Sequence, residues 1–342
     1  MPHAAYVPLR VFSCFSMLEG ASRPREIGPR ARELGFPAAA LCDRNGLYAA
    51  MAFSEGCKLA GVQPIIGALL GVARPTPEGT PRLIDWLPLY AQDETGYRNL
   101  CALVSSAHLD RPLEEEPHVG LDALEGRTEG LIALTGGGEG ALARLIAEGQ
   151  IDAAEACTDR FAALFPGRLY VEISRRGDPV EEAAEDALID LAYARDLPLV
   201  GTNPSCFDTE DFHEAAEAML CIADGTQLER DDRRRCPAGS WIQPAAEIEA
   251  RFADLPEALA NTLVIALRCA YAAPKRDPIL PSIAGDAASE GEQLCADARA
   301  GLEARLAAIA AREPLTDEAA RAYRERLEFE LEVIVETGFS GY

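Results

Sequence analysis

Short apolar runs alternate with longer amphipathic stretches along this chain. Seven runs, each bounded by turn residues, stand out: VPLRVFS (7–13), AAALCD (38–43), PIIGALLGV (64–72), WLPLYAQ (86–92), LIALTGG (131–137), LYVEIS (169–174) and PLVGTN (198–203). Runs of this length between turn residues read as strands. Between them, RPREIGPRARELG (23–35) places Ile27, Ala31 and Leu34 on one helical face, and EEAAEDALIDLAYARD (181–196) does the same with Ala184, Leu188 and Leu191. Strands alternating with helices predict βα units, right-handed crossovers and a parallel sheet. Seven strands in about 200 residues suit a closed α/β barrel better than an open doubly wound sheet. A barrel keeps its chemistry at the C-terminal ends of its strands, so Ser13, Asp43, Leu69, Glu172 and Asn203 are the positions to inspect.

The pattern changes after residue 210. DFHEAAEAMLCIADGTQ (211–227) and PAAEIEARFADLPEALANTLVIALRCAYA (244–272) predict helices, the second broken near DLPEA, where Pro256 suits the first turn of a new helix. APKRDPILPSIAGDA (273–287) is Pro-rich and reads as a domain boundary. Two further helices are predicted, over 290–312 and 317–338. Stopping at GFSGY, just after a helix and a Gly-rich turn, suggests a cut through a longer protein.

Charge narrows the function. With 32 Lys and Arg against 56 Asp and Glu, the net charge is −24, which repels phosphate backbones and disfavours tight nucleic-acid binding by this chain alone. RDDRRR (230–235), the one dense basic cluster, reads as a solvated loop. The ten cysteines are scattered with no CxxC pair, and several sit in apolar runs where Cys acts as a small hydrophobe. MPHAAYVPLRVF lacks the regions of a signal peptide, and no uncharged run approaches a membrane span. Reduced thiols in the cytoplasm are the reading.

Metal chemistry needs ligands, and only four histidines are present. His3 is near the terminus, His108 and His118 fall in a polar linker, and His213 lies on a helix after the last strand. None is at a strand end, so all four read as solvated or incidental, and a multinuclear phosphoesterase centre cannot assemble. Asp43, Glu172 and Cys206 remain as strand-end groups able to ligate. Asp43 is expected to cap its turn, and Glu172 to pair with Arg175 or Arg176. LTGGGEGALARLIAEG (134–149) lacks the GK[ST] ending of a phosphate loop and reads as a tight βα turn. Ser13 and Ser16 have no histidine nearby in sequence to serve as a base.

Seven collinear phrases carry a resemblance. YVPLRVFSCFSMLEGA (6–21), ARELGFPAAALCDRNGLYAAMAFSEGCKLAGVQPIIGA (31–68), DETGYRNLCALVS (93–105), LYVEISRRG (169–177), ARDLPLVGTN (194–203), RFADLPEALANT (251–262) and ERLEFELEVIVETGFSGY (325–342) resemble the N-terminus of the bacterial C-family replicative DNA polymerases. The resemblance implies a polymerase-and-histidinol-phosphatase (PHP) domain over 1–275, a distorted seven-stranded barrel. It further implies a linker at 276–287 and the start of the polymerase palm at 288–342, short of the family's catalytic aspartates. Active PHP domains hold a metal cluster, and here the carry-over fails by position. Two histidines separated by one residue appear as Arg10 and Phe12, and an Asp-His pair as Asp43 and Arg44. A glutamate appears as Leu69, histidines as Trp86 and Arg176, and a final Asp-x-His as Pro204, Ser205 and Cys206. Only Asp43, Glu172 and Cys206 keep coordinating atoms. Arg is not deprotonated at neutral pH, so a divalent ion there would meet repulsion of several kcal/mol at an effective dielectric of about 20. Ion pairs, Arg44 with Asp43 among them, are expected to fill the former metal pocket.

The function implied is that of a nucleotidyltransferase fragment, part of a DNA-directed DNA polymerase of DNA replication. Its degenerate barrel would act as scaffold and docking site for a separate proofreading 3′–5′ exonuclease subunit, alongside other subunits of the polymerase III holoenzyme. DNA would be contacted only through the full polymerase, with no membrane involved. No cofactor is expected for this chain, Mg²⁺ being required only by the full polymerase. The alternatives are an active metal-dependent PHP nuclease or phosphoesterase, and the error-prone paralogue of the same polymerase.

Overall fold

The structure, a computed structural model, describes residues 3–74, 82–277 and 285–342. The chain divides into two compact units, Met1–Pro274 and Lys275–Tyr342.

In the first unit, seven strands form one sheet: β1 Ala38–Arg44, β2 Gln63–Ala73, β3 Ile84–Ala91, β4 Val119–Gly120, β5 Leu131–Leu134, β6 Leu169–Ser174 and β7 Leu199–Thr202. Their order is β1-β2-β3-β5-β6-β7, with the two-residue β4 beside β2. β1 and β2, β5 and β6, and β6 and β7 pair in parallel, as expected of βα units. β3 departs from the expected parallel sheet, running antiparallel to both β2 and β5. Its link from Ala73 is too short to carry a crossover helix, so the chain turns back instead.

The expected strand at 7–13 forms no continuous ladder. Val11 makes isolated bridges to Leu41 and to Ser205, and Pro8 has no amide with which to extend either. Backbone bonds nevertheless join both ends of the strand order. Cys42 N donates to Val11 O at 2.9 Å and Ala40 N to Pro8 O at 2.9 Å, while Phe12 N donates to Ser205 O at 2.9 Å and Ser205 N to Arg10 O at 2.7 Å. This irregular segment closes the ring between β1 and the chain after β7.

Alternate strand residues feed two cores, as the pleat requires. Ala40, Cys42, Ile65, Leu69, Tyr90, Ile132 and Val200 pack together inside the ring. Leu41, Ile66, Leu89, Leu131 and Ile173 pack outward against the helices. Those helices are α1 Pro24–Glu33, α2 Ala50–Ala60, α3 Glu94–Leu109, α4 Ala141–Ala147, α5 Ile151–Leu164 and α6 Pro179–Ala194. Ile27 and Ala31 of α1 and Ala184, Leu188 and Leu191 of α6 are buried, the faces their spacing predicts. Asp178 accepts from Val180 N and Glu181 N with Pro179 in the first turn, which fixes where α6 begins after β6. Helices α7 His213–Asp224, α8 Ala245–Arg251 and α9 Pro256–Arg268 follow, with the break at Pro256 where the sequence places it. The ten cysteines are free thiols, and burial pushes Cys42 up to about 11 and Cys57 up to about 12.

The second unit holds α10 Ala287–Ala310 and α11 Asp317–Glu336, tied by the ion pairs Arg299–Glu328 at 2.6 Å and Arg324–Glu303 at 2.6 Å. Most of the expected linker at 276–287 lies outside the described residues. Among the described residues, no helix is long and apolar enough to cross a membrane.

Candidate functional site: an ion-paired pocket at the strand ends

Arg10 lies in the irregular segment that closes the ring, and Glu172 near the C-terminal end of β6. Arg10 Nη1 donates to Glu172 Oε1 at 2.9 Å and to Oε2 at 3.0 Å. Glu172 also accepts from Thr202 Oγ1 at 2.5 Å and from Gly136 N at 3.0 Å. Burial by itself would lower the Arg10 pKa, but the Glu172 charge beside it holds it above the ordinary guanidinium value. The expected partners of Glu172 are therefore wrong. Arg175 binds Glu185 and Asp254, and Arg176 binds Glu181 at 2.7 Å through its side chain and at 3.0 Å through its backbone N–H.

Gly136, just past β5, has φ +94°, and a Cβ there would sit 2.1 Å from Trp86 O. Only glycine fits, and its amide serves the protein's own carboxylate where a phosphate loop would serve a ligand. The same turn delivers Glu139, whose carboxylate accepts from Arg44 Nη2 at 2.5 Å and from Arg10 Nη2 at 3.5 Å. Burial tends to raise the Glu139 pKa, but Arg44 and Arg10 override it and hold the carboxyl down to about 2.

Arg44, at the end of β1, binds Glu19 through Nε and through Nη2, the latter at 2.6 Å. Its guanidinium lies 4.4 Å from the Trp86 ring centroid and 5.5 Å from that of Phe12, so two aromatic faces replace solvent around the charge. The expected Arg44–Asp43 pair is not formed. Asp43 accepts instead from Ser13 N at 2.7 Å, Ser13 Oγ at 2.6 Å and Ser16 Oγ at 2.7 Å. Burial raises its pKa, against the pull of those three donors. It does fasten its turn, though as an acceptor for the 13–16 segment and not as a cap of its own.

The remaining positions join the same end of the barrel. Leu69 on β2 is in register with Arg44 and fully buried. Phe12, Glu19, Glu139, Arg176, Pro204 and Cys206 line a cavity of about 140 Å³. Burial pushes the Cys206 thiol far above its usual range. Asn203 stands apart, donating to Gly239 O at 2.9 Å and Trp241 O at 3.0 Å to hold the chain after α7. Arg10, Phe12, Arg44, Trp86 and Glu172 are joined by ion pairs and ring contacts, whereas Asp43 faces the 13–16 segment. Two partners in the pocket, Glu139 and Glu19, are not among the positions singled out from the sequence. Glu139 is legible as an acid just past a strand end inside a Gly-rich turn; Glu19 carries no local signal.

The group that a PHP fold implies is a cluster of divalent metal ions, and the residues present do not fit it. Guanidinium groups of Arg10 and Arg44 take up the carboxylates that could have ligated. Among the described residues, no group of three or more His, Cys, Asp or Glu side chains could hold a metal ion. Histidine contributes nothing here. His108 sits in α3 against Asn45 O at 2.8 Å and not in the expected linker, whereas His118 does fall in the segment between α3 and β4 but is buried there, with its ring bonded to Glu116 O at 2.7 Å. His213 bonds Cys236 O at 2.9 Å. The RDDRRR cluster is likewise only part-solvated, since Arg233 is buried against Glu217. Among the described residues, Ser13 and Ser16 form no nucleophile–base pair with an imidazole, as both hydroxyls donate to Asp43.

A closed βα ring with its polar residues gathered at the strand ends defines the class: residues 8–176 match the PHP domain. Over 98% of its length the chain is 43% identical to the DNA polymerase III subunit alpha of Caulobacter vibrioides, and over its full length 34% and 35% identical to those of Vibrio cholerae and Escherichia coli strain K12. The chain belongs to the family of DNA polymerase III alpha subunits, and it spans 29% of the length of these relatives. Among solved structures, an amidohydrolase from Chromobacterium violaceum aligns with 63% of this chain and 96% of its own, at 14% identity and a TM-score of 0.44.

Proposed function

We propose that this chain is the N-terminal scaffold of a replicative DNA polymerase, with a PHP barrel in which ion pairs have replaced metal chemistry. The observation that carries the reading is the Arg10–Glu172 pair, with Arg44 held between Glu19 and Glu139 beside it. Fixed cations at these positions stabilise the barrel and repel divalent ions. In this reading the positions of the lost metal site are Arg10, Phe12, Asp43, Arg44, Leu69, Trp86, Glu172, Arg176, Pro204 and Cys206. The barrel then serves as a structural module and as the docking platform for a separate proofreading 3′–5′ exonuclease subunit within the polymerase holoenzyme. A net charge of −24 favours contacts with protein over contacts with DNA, which the full polymerase would make. Under this reading the second unit is the start of the palm, primer extension and its Mg²⁺ belong to the complete polymerase, and the setting is cytoplasmic.

The test is an assay of the purified chain on single-stranded DNA with a free 3′ end, in Mn²⁺, Zn²⁺ or Mg²⁺, with and without the exonuclease subunit. The expected result is no cleavage by the chain alone and a stable complex on gel filtration. Metal-dependent cleavage abolished by Asp43→Ala would establish a working PHP nuclease and overturn the reading.

A further inference from the structure

The turn that carries Ser13 and Ser16 to Asp43 presents its other side to solvent. Phe15 is 47% exposed, Met17 81% and Leu18 37%; Tyr48, from the turn after β1, is 63% exposed with its ring 6.0 Å from that of Phe15. Single exposed apolar side chains are ordinary, but four large ones gathered on two touching loops are not.

The backbone beneath them is held in unusual conformations. Leu18 has φ +61° and Asn45 φ +45°, two of the three left-handed non-glycine residues among those described. A leucine adopts that region only when its surroundings impose it. The constraint is visible on both sides. Ser13 and Ser16 donate to buried Asp43, Glu19 pairs with Arg44, and the Asn45 side chain donates to Pro117 O at 2.6 Å and accepts from Gly71 N at 2.9 Å. That last set of bonds fastens an acidic run to the same loop, since exposed Glu114 and Glu116 directly precede Pro117.

We propose that this surface binds a protein segment carrying apolar anchor side chains among arginines or lysines. The inference rests on the docking reading above, for which it supplies the surface and the chemistry of the partner. Anchors on a pre-set backbone lose little freedom when covered, which is where binding energy is most often spent. The acidic flank attracts a basic segment and rejects a phosphate backbone. It also disfavours a second copy of this chain, at −24 per copy.

The experiment titrates the purified chain with the proofreading exonuclease subunit of the same replicase, by calorimetry at low and high salt. Three variants accompany the wild type: Met17→Glu, Tyr48→Ala and the double charge reversal Glu114→Lys/Glu116→Lys. Met17→Glu and Tyr48→Ala are expected to raise Kd by about tenfold or more at either salt. The charge reversal is expected to weaken binding chiefly at low salt. Melting midpoints should not move, because these side chains are exposed. Wild-type binding that all three variants reproduce would overturn this surface and leave the docking reading standing. No binding by the wild type would overturn the docking reading and this assignment with it. A wild-type dimer that Met17→Glu converts to monomer would give the surface to self-association and overturn the partner assigned here.

Discussion

Arg10 Nη1 reaches both carboxylate oxygens of Glu172, at 2.9 and 3.0 Å, with the two side chains 1% and 0% exposed. A pair this deep costs much in desolvation, so its value shows when one half is removed. Arg10→Ala is expected to destabilise the first unit by about 3–5 kcal/mol, because Glu172 would be left charged and buried. Arg10→Met combined with Glu172→Gln should recover most of that loss, since the glutamine carbonyl can still accept from Gly136 N while its NH2 faces the Thr202 hydroxyl, which can turn to accept. Urea unfolding of the three proteins, read as midpoint and slope, checks both statements.

Arg44 separates two carboxylates, Glu19 and Glu139, that would otherwise face each other. These side chains retain some solvent, at 18%, 19% and 34% exposure, so Arg44→Ala should cost less, about 2 kcal/mol. Trp86→Leu keeps the ion pairs and removes one aromatic face from the guanidinium; about 1 kcal/mol is the expected loss. Equal unfolding midpoints for wild type and Arg44→Ala would remove Arg44 from the account of what holds the pocket.

Acid should loosen this pocket in a definite direction. Arg44 and Arg10 hold the Glu139 carboxyl down to about 2 from an ordinary 4.5, so its ionised form is favoured in the folded chain. Its contribution is therefore complete above about pH 4.5 and is lost as pH falls toward 2. Asp43 works the other way. Burial raises its pKa, so it contributes stability when protonated and loses it as pH rises through the folded value. The difference in stability between wild type and Glu139→Gln should thus be largest near neutrality and shrink on acidification. A difference that grows below pH 4.5 would reverse the sign and refute the assignment.

Asp43→Asn removes one of two acceptor oxygens from a site that serves three donors, leaving Ser13 or Ser16 short of a partner. A loss of about 1–3 kcal/mol is expected. Amide exchange should quicken between residues 13 and 20, the segment Asp43 holds, while β6 and β7 stay protected. Uniform quickening across the sheet would mean that Asp43 supports the barrel as a whole.

Much of this arrangement is written locally, and the part that is not has identifiable reasons. Strands β1, β2, β5, β6 and β7 arise from apolar runs between turn residues, because burial and turn chemistry both act over a few residues. The direction of β3 does not, since an apolar run reads the same whichever way it pairs. Matching neighbours in sequence misassigns the pairing within the pocket. Asp43 and Arg44 are consecutive in β1 and so point to opposite faces, which sends one to Ser13 and the other to Glu19 and Glu139. Glu172 finds Arg10 at a sequence separation of 162, a contact that only ring closure creates. Which positions gather at the strand ends is legible in the chain; which charge meets which depends on the closed fold.

In the function proposed above, ion pairs occupy the place of a metal cluster, and that proposal can be tested directly. The measurement is elemental analysis of the purified chain after incubation with Zn²⁺, Mn²⁺ and Mg²⁺ and thorough desalting. The ion-paired pocket predicts no stoichiometric metal from any of the three. One or more equivalents retained by the wild type and lost in Asp43→Ala would contradict it.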